Sequence, residues 1–151
     1  MAITRGKLEF QNVITMHTRS LYGKWQEPAM QLRAFIVKNG LFITGPVMVR
    51  WGEMDKATKE ADLTVYLPTF QKIQLPENDI FSYQETFLIE DGLKIRQTDA
   101  NDDITATESL LAVVAEKANL KLQKPYYYIY LPVFGEYVFD IFAPAEEGAN
   151  P

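Results

Sequence analysis

The stretch Val65-Tyr66-Leu67-Pro68 recurs near the end of the chain as Ile141-Phe142-Ala143-Pro144, 76 positions later. A second recurrence precedes each of these stretches at an offset of 79 positions: Gly40, Leu41, Ile43 and Pro46 correspond to Asn119, Leu120, Leu122 and Pro125. Because both matches occur in the same order, the sequence predicts an internal duplication. We place the pseudo-repeats at residues 1–75 and 76–147 of a single domain covering 1–151.

Each pseudo-repeat shows the same series of local patterns. Residues 8–19 and 80–89 are rich in the β-branched and aromatic residues of strands. Helices are predicted at 29–39, closed by Gly40, and after the capping box Thr105-Ala106-Thr107-Glu108. Paired strands follow at 47–51 and 63–67, and again at 126–133 and 137–143. Turn residues stand at Glu90-Asp91-Gly92, after which residues 93–97 either continue the strand at 80–89 or pair with it, and a polar loop is predicted at 98–103.

These patterns together predict the fold class. It is α+β, with tandem duplicated strand–helix–strand–strand units that form a shared antiparallel sheet with the helices on one face. Such a sheet has a second face, where a ligand, a partner protein or another subunit would lie.

Composition excludes several classes of function. The net charge of −5 comes without any block of Lys or Arg, so we expect no nucleic-acid partner. The chain has no Cys and a single histidine, His17, so we expect no metal and no cofactor. No apolar run reaches the length of a signal peptide core or a membrane span, so we expect a cytoplasmic location and no membrane partner.

Asp140 is the most informative charged residue, because it stands between Phe139 and Ile141 in an apolar strand. It either attracts a cationic, lipophilic ligand, or faces water while its neighbours face the helices. Strand alternation places three further candidates on the open face with it: Phe142, Tyr66 and Thr64. The alternative is a plain solvated or partner-covered face. Arg50 is a candidate ion-pair partner for Asp140 or Glu53, and such a pair would remove a cation site.

Aromatic residues extend the candidate site. Within 126–130, alternation puts Tyr128 and Tyr130 on one strand face and Tyr127 and Ile129 on the other. Both faces therefore require a cover, which is a ligand, a dimer partner or a loop, unless Tyr serves there only as a good strand residue. Trp51 aligns with Tyr130 across the repeat, and we interpret it as a pocket wall or as core packing.

The doubled element order and the Tyr-aliphatic-Pro strand ending resemble the GyrI-like (AraC effector-binding) domains over nearly the whole chain. These small-molecule-binding domains include the ligand-sensing halves of multidrug-responsive transcription regulators. Family members often end a strand with an acidic residue before Ile/Val-Tyr-Ile-Pro, and Asp140 stands at that position, whereas the first repeat has Thr64. The family's Gly-Pro-Tyr turn is replaced by Ile89-Glu90-Asp91-Gly92. A weaker similarity is to short uncharacterised proteins of Gram-positive bacteria.

Three functions follow from the residues and the resemblance. The first is a stand-alone GyrI-like domain that binds an amphipathic small molecule without catalysis. The second is a protein–protein interaction or accessory module, with a homodimer as its simplest form. The third is a small hydrolase, as some GyrI-like relatives are, with Glu85, Glu53 and Asp140 as the available acids. No spacing supports such a catalytic set, so we expect that the protein is not an enzyme.

Overall fold

A computed structural model describes residues 2–76, 78–98, 104–133 and 136–148. Within these ranges, the elements follow in the order β1 (Ile3–Leu21), α1 (Gln26–Lys38), β2 (Val47–Trp51), β3 (Glu60–Pro68), β4 (Phe81–Gln97), α2 (Ile104–Lys117), β5 (Leu120–Leu122), β6 (Tyr127–Val133) and β7 (Glu136–Glu147). The strands form a seven-stranded antiparallel sheet. The predicted α+β class, with its doubled strand–helix–strand–strand order, is confirmed.

The chain divides into two compact units. The N-unit is Glu9–Phe87, and the C-unit combines Met1–Leu8 with Leu88–Pro151. Both boundaries lie inside strands, so β1 and β4 each contribute residues to both units. The single domain and the repeat boundaries at 1–75 and 76–147 stay predictions.

In the N-unit, β3 is the central strand, because it pairs with β1 on one side and β2 on the other. Helix α1 packs against β3 and contributes Leu32 and Ile36 to the core, where both side chains are fully buried. The alternating apolar side chains of β3, which are Leu63, Val65 and Leu67, are fully buried as well. The N-unit core is therefore the one that the period-two pattern of β3 indicates.

In the C-unit, β7 is the central strand and pairs with β4, β6 and the short strand β5. One core cluster joins α2 to the sheet through Leu111 and Ala115 of the helix and through Phe139, Ile141 and Ala143 of β7. Alternate residues of β7 therefore face the helix, and this face of the C-unit is closed by apolar packing.

Equivalent strands pair in the same register in the two units. The pairs Met48–Tyr66, Val49–Val65, Arg50–Thr64 and Trp51–Leu63 of the N-unit correspond to Tyr127–Phe142, Tyr128–Ile141, Ile129–Asp140 and Tyr130–Phe139 of the C-unit. Even the strand entry is reproduced, because Thr44 N–H donates to Pro68 O at 3.0 Å and Gln123 N–H donates to Pro144 O at 2.7 Å. The offsets of 79 and 76 positions in the sequence thus describe equivalent backbone pairings.

The predicted turn at Glu90-Asp91-Gly92 is wrong, since β4 runs through it without interruption. Gly92 is needed because a Cβ atom there would overlap the Phe142 ring and lie 2.6 Å from the Ala143 carbonyl oxygen. Asp91 is explained by Arg5, whose Nε and one terminal nitrogen donate to the two carboxylate oxygens at 3.0 and 2.7 Å. Asp91 and Gly92, which are residue types typical of turns, are therefore placed inside a strand by their tertiary contacts.

Helix boundaries differ modestly from prediction. The residues that close the two helices, Gly40 and Asn119, have positive φ angles of 71° and 55°, as their types predict. Helix α2 already includes Ile104, so Thr105 lies in its first turn. Most of the loop predicted at 98–103 lies outside the described residues. Strand β5 was not predicted, because three residues carry too little period-two pattern.

Candidate functional site

The face of the C-unit sheet opposite α2 carries the charged residue that the sequence singled out. Because Phe139 and Ile141 contact the helix side, strand alternation directs Asp140 to the opposite face. We call this surface the C-face and define it by Lys94 and Arg96 of β4, Asp140 and Phe142 of β7, and Tyr127 and Ile129 of β6, which the strand register places in adjacent rows.

Burial differs sharply across the C-face. The side chains on β6 and β7 are shielded, with Phe142 at 1%, Ile129 at 4% and Tyr127 at 8% relative exposure. By contrast, Lys94 and Arg96 on β4 are exposed. The C-face therefore has an apolar, aromatic floor and a rim of two cationic side chains.

Asp140 is buried at the junction of floor and rim, where Arg96 holds it in a bidentate ion pair. The Arg96 Nε donates to Oδ1 at 2.7 Å, and a terminal nitrogen donates to Oδ2 at 3.1 Å. The Asp140 side chain is only 7% exposed, while that of Arg96 is 56% exposed. The Asp140 carboxylate raises the pKa of Arg96 through this hydrogen bond and through its charge. Both carboxylate oxygens thus already accept charge-assisted hydrogen bonds.

The N-unit has an equivalent surface, which we call the N-face: Thr15 and His17 of β1, Thr64 and Tyr66 of β3, and Met48 and Arg50 of β2. Here His17 takes the position of Arg96 and Thr64 that of Asp140, and His17 Nδ1 lies 3.4 Å from Thr64 Oγ1. Tyr66 is 5% exposed and packs edge-on against Phe87 at 5.2 Å between ring centroids. A contact between a histidine ring and a hydroxyl therefore takes the place of the C-face ion pair.

The remaining predicted residues lie on the opposite, core side of their strands. Tyr128 and Tyr130 both pack their rings against Phe139, and the Tyr128 hydroxyl donates to Glu108 of α2 at 2.5 Å. Trp51 pairs with Leu63 in the register and contacts the Tyr22 ring at 5.1 Å. The structure thus brings Asp140 and Phe142 together on the C-face, and Thr64 and Tyr66 together on the N-face.

Sequence reasoning did not find Arg96 and Lys94, although a signal was present. The 79-position offset that relates Gly40 to Asn119 also relates His17 to Arg96, which would have placed a cation opposite Asp140. The false turn at Gly92 hid this relation, because it interrupted the second half of β4. The strand partner that the structure gives to Asp140 is thus Arg96.

Cavities are also present that other residues line. One cavity, of about 460 Å³, lies at the end of α2 and is lined in part by Glu116, Leu120 and Tyr126. Burial raises the pKa of the Tyr126 hydroxyl. Another, of about 400 Å³, lies in the N-unit beside Asn12 and Phe70. None of the predicted site residues lines either cavity.

The described part of the chain contains neither a group of metal ligands nor a membrane-spanning helix. Nowhere in residues 2–76, 78–98, 104–133 and 136–148 do three or more His, Asp or Glu side chains cluster as metal ligands would. Neither α1 nor α2 combines the length and the apolar character needed to cross a bilayer.

No protein-family model and no curated protein matches this sequence. Solved structures do match. The C-terminal domain of EcmrR aligns over 97% of this chain and 99% of its own length, with a TM-score of 0.67 and 15% identity. A hydrolase from Listeria innocua aligns over 95% and 91%, with a TM-score of 0.69 and 12% identity. SAV2435, solved bound to tetraphenylphosphonium, aligns over 97% and 94%, with a TM-score of 0.54 and 8% identity. At these identities the likeness establishes a shared fold, which is consistent with the GyrI-like resemblance.

Proposed function

We propose that this chain is a stand-alone domain that binds an amphipathic small molecule without transforming it. The observation that carries the proposal is the C-face itself. Aromatic and aliphatic side chains, among them Phe142 and Tyr127, lie directly beside the fixed charges of Arg96 and Asp140. Ligand sites in proteins combine such apolar lining with a few placed polar groups.

The structural neighbours support this proposal. SAV2435 shares the fold and was solved with tetraphenylphosphonium, an amphipathic small molecule. The C-terminal domain of EcmrR covers nearly the same length. A protein of this fold is therefore able to bind a small molecule, and we infer that the C-face supplies the site in this chain.

A binding screen by isothermal titration calorimetry tests the proposal. Calorimetry is preferred to tryptophan emission because Trp25 and Trp51 both belong to the N-unit, whereas the C-face belongs to the C-unit. We expect saturable binding of at least one amphipathic probe from a set of cationic, neutral and anionic aromatic compounds. The absence of saturable heat with every probe would refute the proposal.

Two neighbouring tyrosines of β6 supply a matched pair of variants. Tyr127→Leu removes a ring from the C-face, whereas Tyr128→Leu removes one from the helix side of the same strand. We expect Tyr127→Leu to weaken binding at least fivefold, since stacking area is lost. Tyr128→Leu should change binding less than twofold, although it lowers stability by breaking the contact with Glu108. Equal weakening by both would place the ligand elsewhere.

A second candidate function is a protein–protein interaction module, which two exposed phenylalanines favour. Phe42 and Phe70 are 68% and 74% exposed and are adjacent, because Phe70 N–H donates to Phe42 O at 2.9 Å. Light scattering coupled to gel filtration tests the homodimer. A dimer that Phe42→Ser converts to a monomer would favour this function over small-molecule binding.

A small hydrolase is the third candidate, and its support is the likeness to the Listeria innocua hydrolase. Turnover of a bound probe, followed by chromatography, would separate it from simple binding.

A further inference from the structure

The cavity of about 460 Å³ at the end of α2 is lined entirely by residues of the C-unit, none of which defines the C-face. Three of the lining residues, Ala115, Leu120 and Tyr126, also belong to the C-unit core, with 3%, 8% and 9% relative exposure. They form an apolar wall to which the cavity gives access. Because the volume lies within the range of small-molecule pockets in proteins, this wall offers a ligand a surface.

The Tyr126 hydroxyl is a polar group without a partner on this wall. Within residues 2–76, 78–98, 104–133 and 136–148 it makes no hydrogen bond, whereas the Tyr128 hydroxyl donates to Glu108. Lys124 contacts the ring of Tyr126, with its Nζ atom 5.8 Å from the ring centroid. Burial raises the pKa of Tyr126, so the hydroxyl keeps its proton near neutral pH. Since buried polar groups almost always have a hydrogen-bond partner, this donor is available to an acceptor that enters the cavity.

The backbone of β5 also has free hydrogen-bonding groups beside the cavity. Strand β5 is the last strand of the sheet, and it pairs only with β7. Gln123 N–H donates to Pro144 O at 2.7 Å, and peptide groups alternate in direction along an antiparallel strand. The peptide groups of Leu120 and Leu122 are therefore directed away from β7. Both residues line the cavity.

The two helices end differently at this point. In α1, Leu41 N–H donates to Ile36 O at 3.1 Å and closes the last turn. The 79-position offset relates these residues to Leu120 and Ala115, and no hydrogen bond joins that pair in the described part of the chain. The Ala115 carbonyl and the Leu120 N–H are therefore both open at the cavity wall. Carbonyl groups at the end of a helix attract cations, whereas a free N–H attracts anions.

Two opposite charges complete the lining. Glu116 of α2 and Lys121 of β5 both line the cavity and are exposed. Neither side chain has an ion pair among the described residues, although Lys121 lies opposite Glu146 in the strand register. A carboxylate and an ammonium group thus flank one apolar wall. This arrangement complements a small ligand that carries both charges and an apolar body.

We propose that this cavity binds a free α-amino acid with an apolar side chain. Glu116 and the Ala115 carbonyl receive the ammonium group of the ligand. Lys121 and the Leu120 N–H receive its carboxylate, and the Tyr126 hydroxyl supplies a further donor. The apolar wall takes the side chain. The site goes beyond the small-molecule function proposed for the C-face and does not depend on it, because the two share no residue.

Three probes with the same phenyl group test the charge requirement. L-Phenylalanine carries both charges, phenethylamine carries only the ammonium group, and hydrocinnamate carries only the carboxylate. Each probe is titrated into the isotope-labelled full chain while the amide chemical shifts are recorded by nuclear magnetic resonance, which gives both the affinity and the position of binding. We expect saturable shifts within residues 112–122 and an affinity for L-phenylalanine about fivefold above that for either single-charge probe.

Three variants assign the binding to the cavity, with two controls. Tyr126→Phe removes only the unpartnered hydroxyl, so it should weaken L-phenylalanine about three- to tenfold without lowering the free energy of unfolding. Glu116→Gln should weaken L-phenylalanine and phenethylamine about threefold and leave hydrocinnamate unchanged. Lys121→Gln should weaken L-phenylalanine and hydrocinnamate about threefold and leave phenethylamine unchanged. The controls Glu90→Gln and Lys56→Gln remove the same charges from exposed positions outside the cavity and should change none of the affinities.

The outcomes are distinct from those of the C-face proposal. The amino-acid site is overturned if none of the three probes gives saturable shifts, or if the shifted amides lie outside the cavity. It is also overturned if Tyr126→Phe binds L-phenylalanine as tightly as wild type, or if Glu90→Gln weakens binding as much as Glu116→Gln does. Failure on any of these counts leaves the C-face proposal standing, because its own probes and variants concern other residues.

Discussion

Removing one partner of the Arg96–Asp140 pair should cost far more than removing the other. Arg96→Gln leaves a carboxylate whose side chain is 7% exposed without its bidentate donor. Asp140→Asn leaves a guanidinium whose side chain is 56% exposed and able to turn to water. The free energy of unfolding should therefore respond unequally to two changes that break the same contact.

The expected magnitudes follow from burial. Removing the partner of a fully buried ion costs about 3–5 kcal/mol, and the cost here is smaller because Arg96 itself is half exposed. We expect Arg96→Gln to lower the free energy of unfolding by about 2–3 kcal/mol. Asp140→Asn should cost about 1 kcal/mol, because the amide fills the same space and the orphaned cation is hydrated. The double variant should recover about 1–2 kcal/mol of the sum of the two single costs.

Urea denaturation followed by far-ultraviolet circular dichroism measures these differences across both units. Tryptophan emission, recorded in parallel, reports on the N-unit, where Trp25 and Trp51 lie. The reasoning is refuted if Asp140→Asn is the more costly single change, or if the two costs simply add in the double variant.

Two further predictions concern residues that the sequence pattern misread as a turn. Gly92→Ala should lower the free energy of unfolding by about 1–3 kcal/mol, because the new methyl group overlaps the Phe142 ring and the backbone. Gly6→Ala has no atom within 4 Å of the new methyl group, so it should raise the free energy of unfolding by about 0.4–1 kcal/mol in the same urea denaturation assay. Equal effects of the two substitutions would contradict the packing argument. The hydrogen bond from Arg5 holds the pKa of Asp91 below its ordinary value of 3.8. The stability that this ion pair adds is therefore fully present above pH 3.8, and it is lost as the pH falls through the lowered pKa that Asp91 has in the folded protein. Acid titration should therefore show the difference between wild type and Asp91→Asn shrinking below pH 3.8, and a difference that instead grows in acid would count against the pair.

The fold was predictable because hydrophobic alternation and turn chemistry agree along most of the chain. Strand β2 was predicted with its observed bounds, and the closing residues Gly40 and Asn119 adopt the left-handed backbone expected of them. The strand register follows the sequence offsets through all four pairs of β2–β3 and their counterparts in β6–β7. Local patterns are sufficient to predict an element where the conformational preference of each residue agrees with its backbone conformation in the fold.

The candidate site was harder to predict, because its residues are fixed by contacts distant in sequence. Asp140 was found from its apolar neighbours, but its partner Arg96 is 44 positions away. Gly92 and Asp91 favour a turn locally, and only the Phe142 ring and the Arg5 side chain explain their place inside β4. Tertiary contacts here override local preference, which a single sequence does not reveal.

The same limit applies to the strand faces. Alternation correctly separates Tyr128 and Tyr130 from Tyr127, yet it does not say which set faces the helix. The C-unit core answers this, because Phe139 and Ile141 pack with Leu111 of α2. When both faces of a strand carry aromatic residues, the hydrophobic pattern does not indicate which face packs against the helix.

Nuclear magnetic resonance of the protein titrated with 1-anilinonaphthalene-8-sulfonate tests the central claim most directly. If a ligand occupies the C-face, intermolecular nuclear Overhauser effects will join the probe's aromatic protons to Tyr127, Phe142 and the Lys94 side chain. If those effects instead arise from the cavity around Leu120 and Tyr126, or if none are found at saturating probe, the assignment of the C-face as the binding site is contradicted.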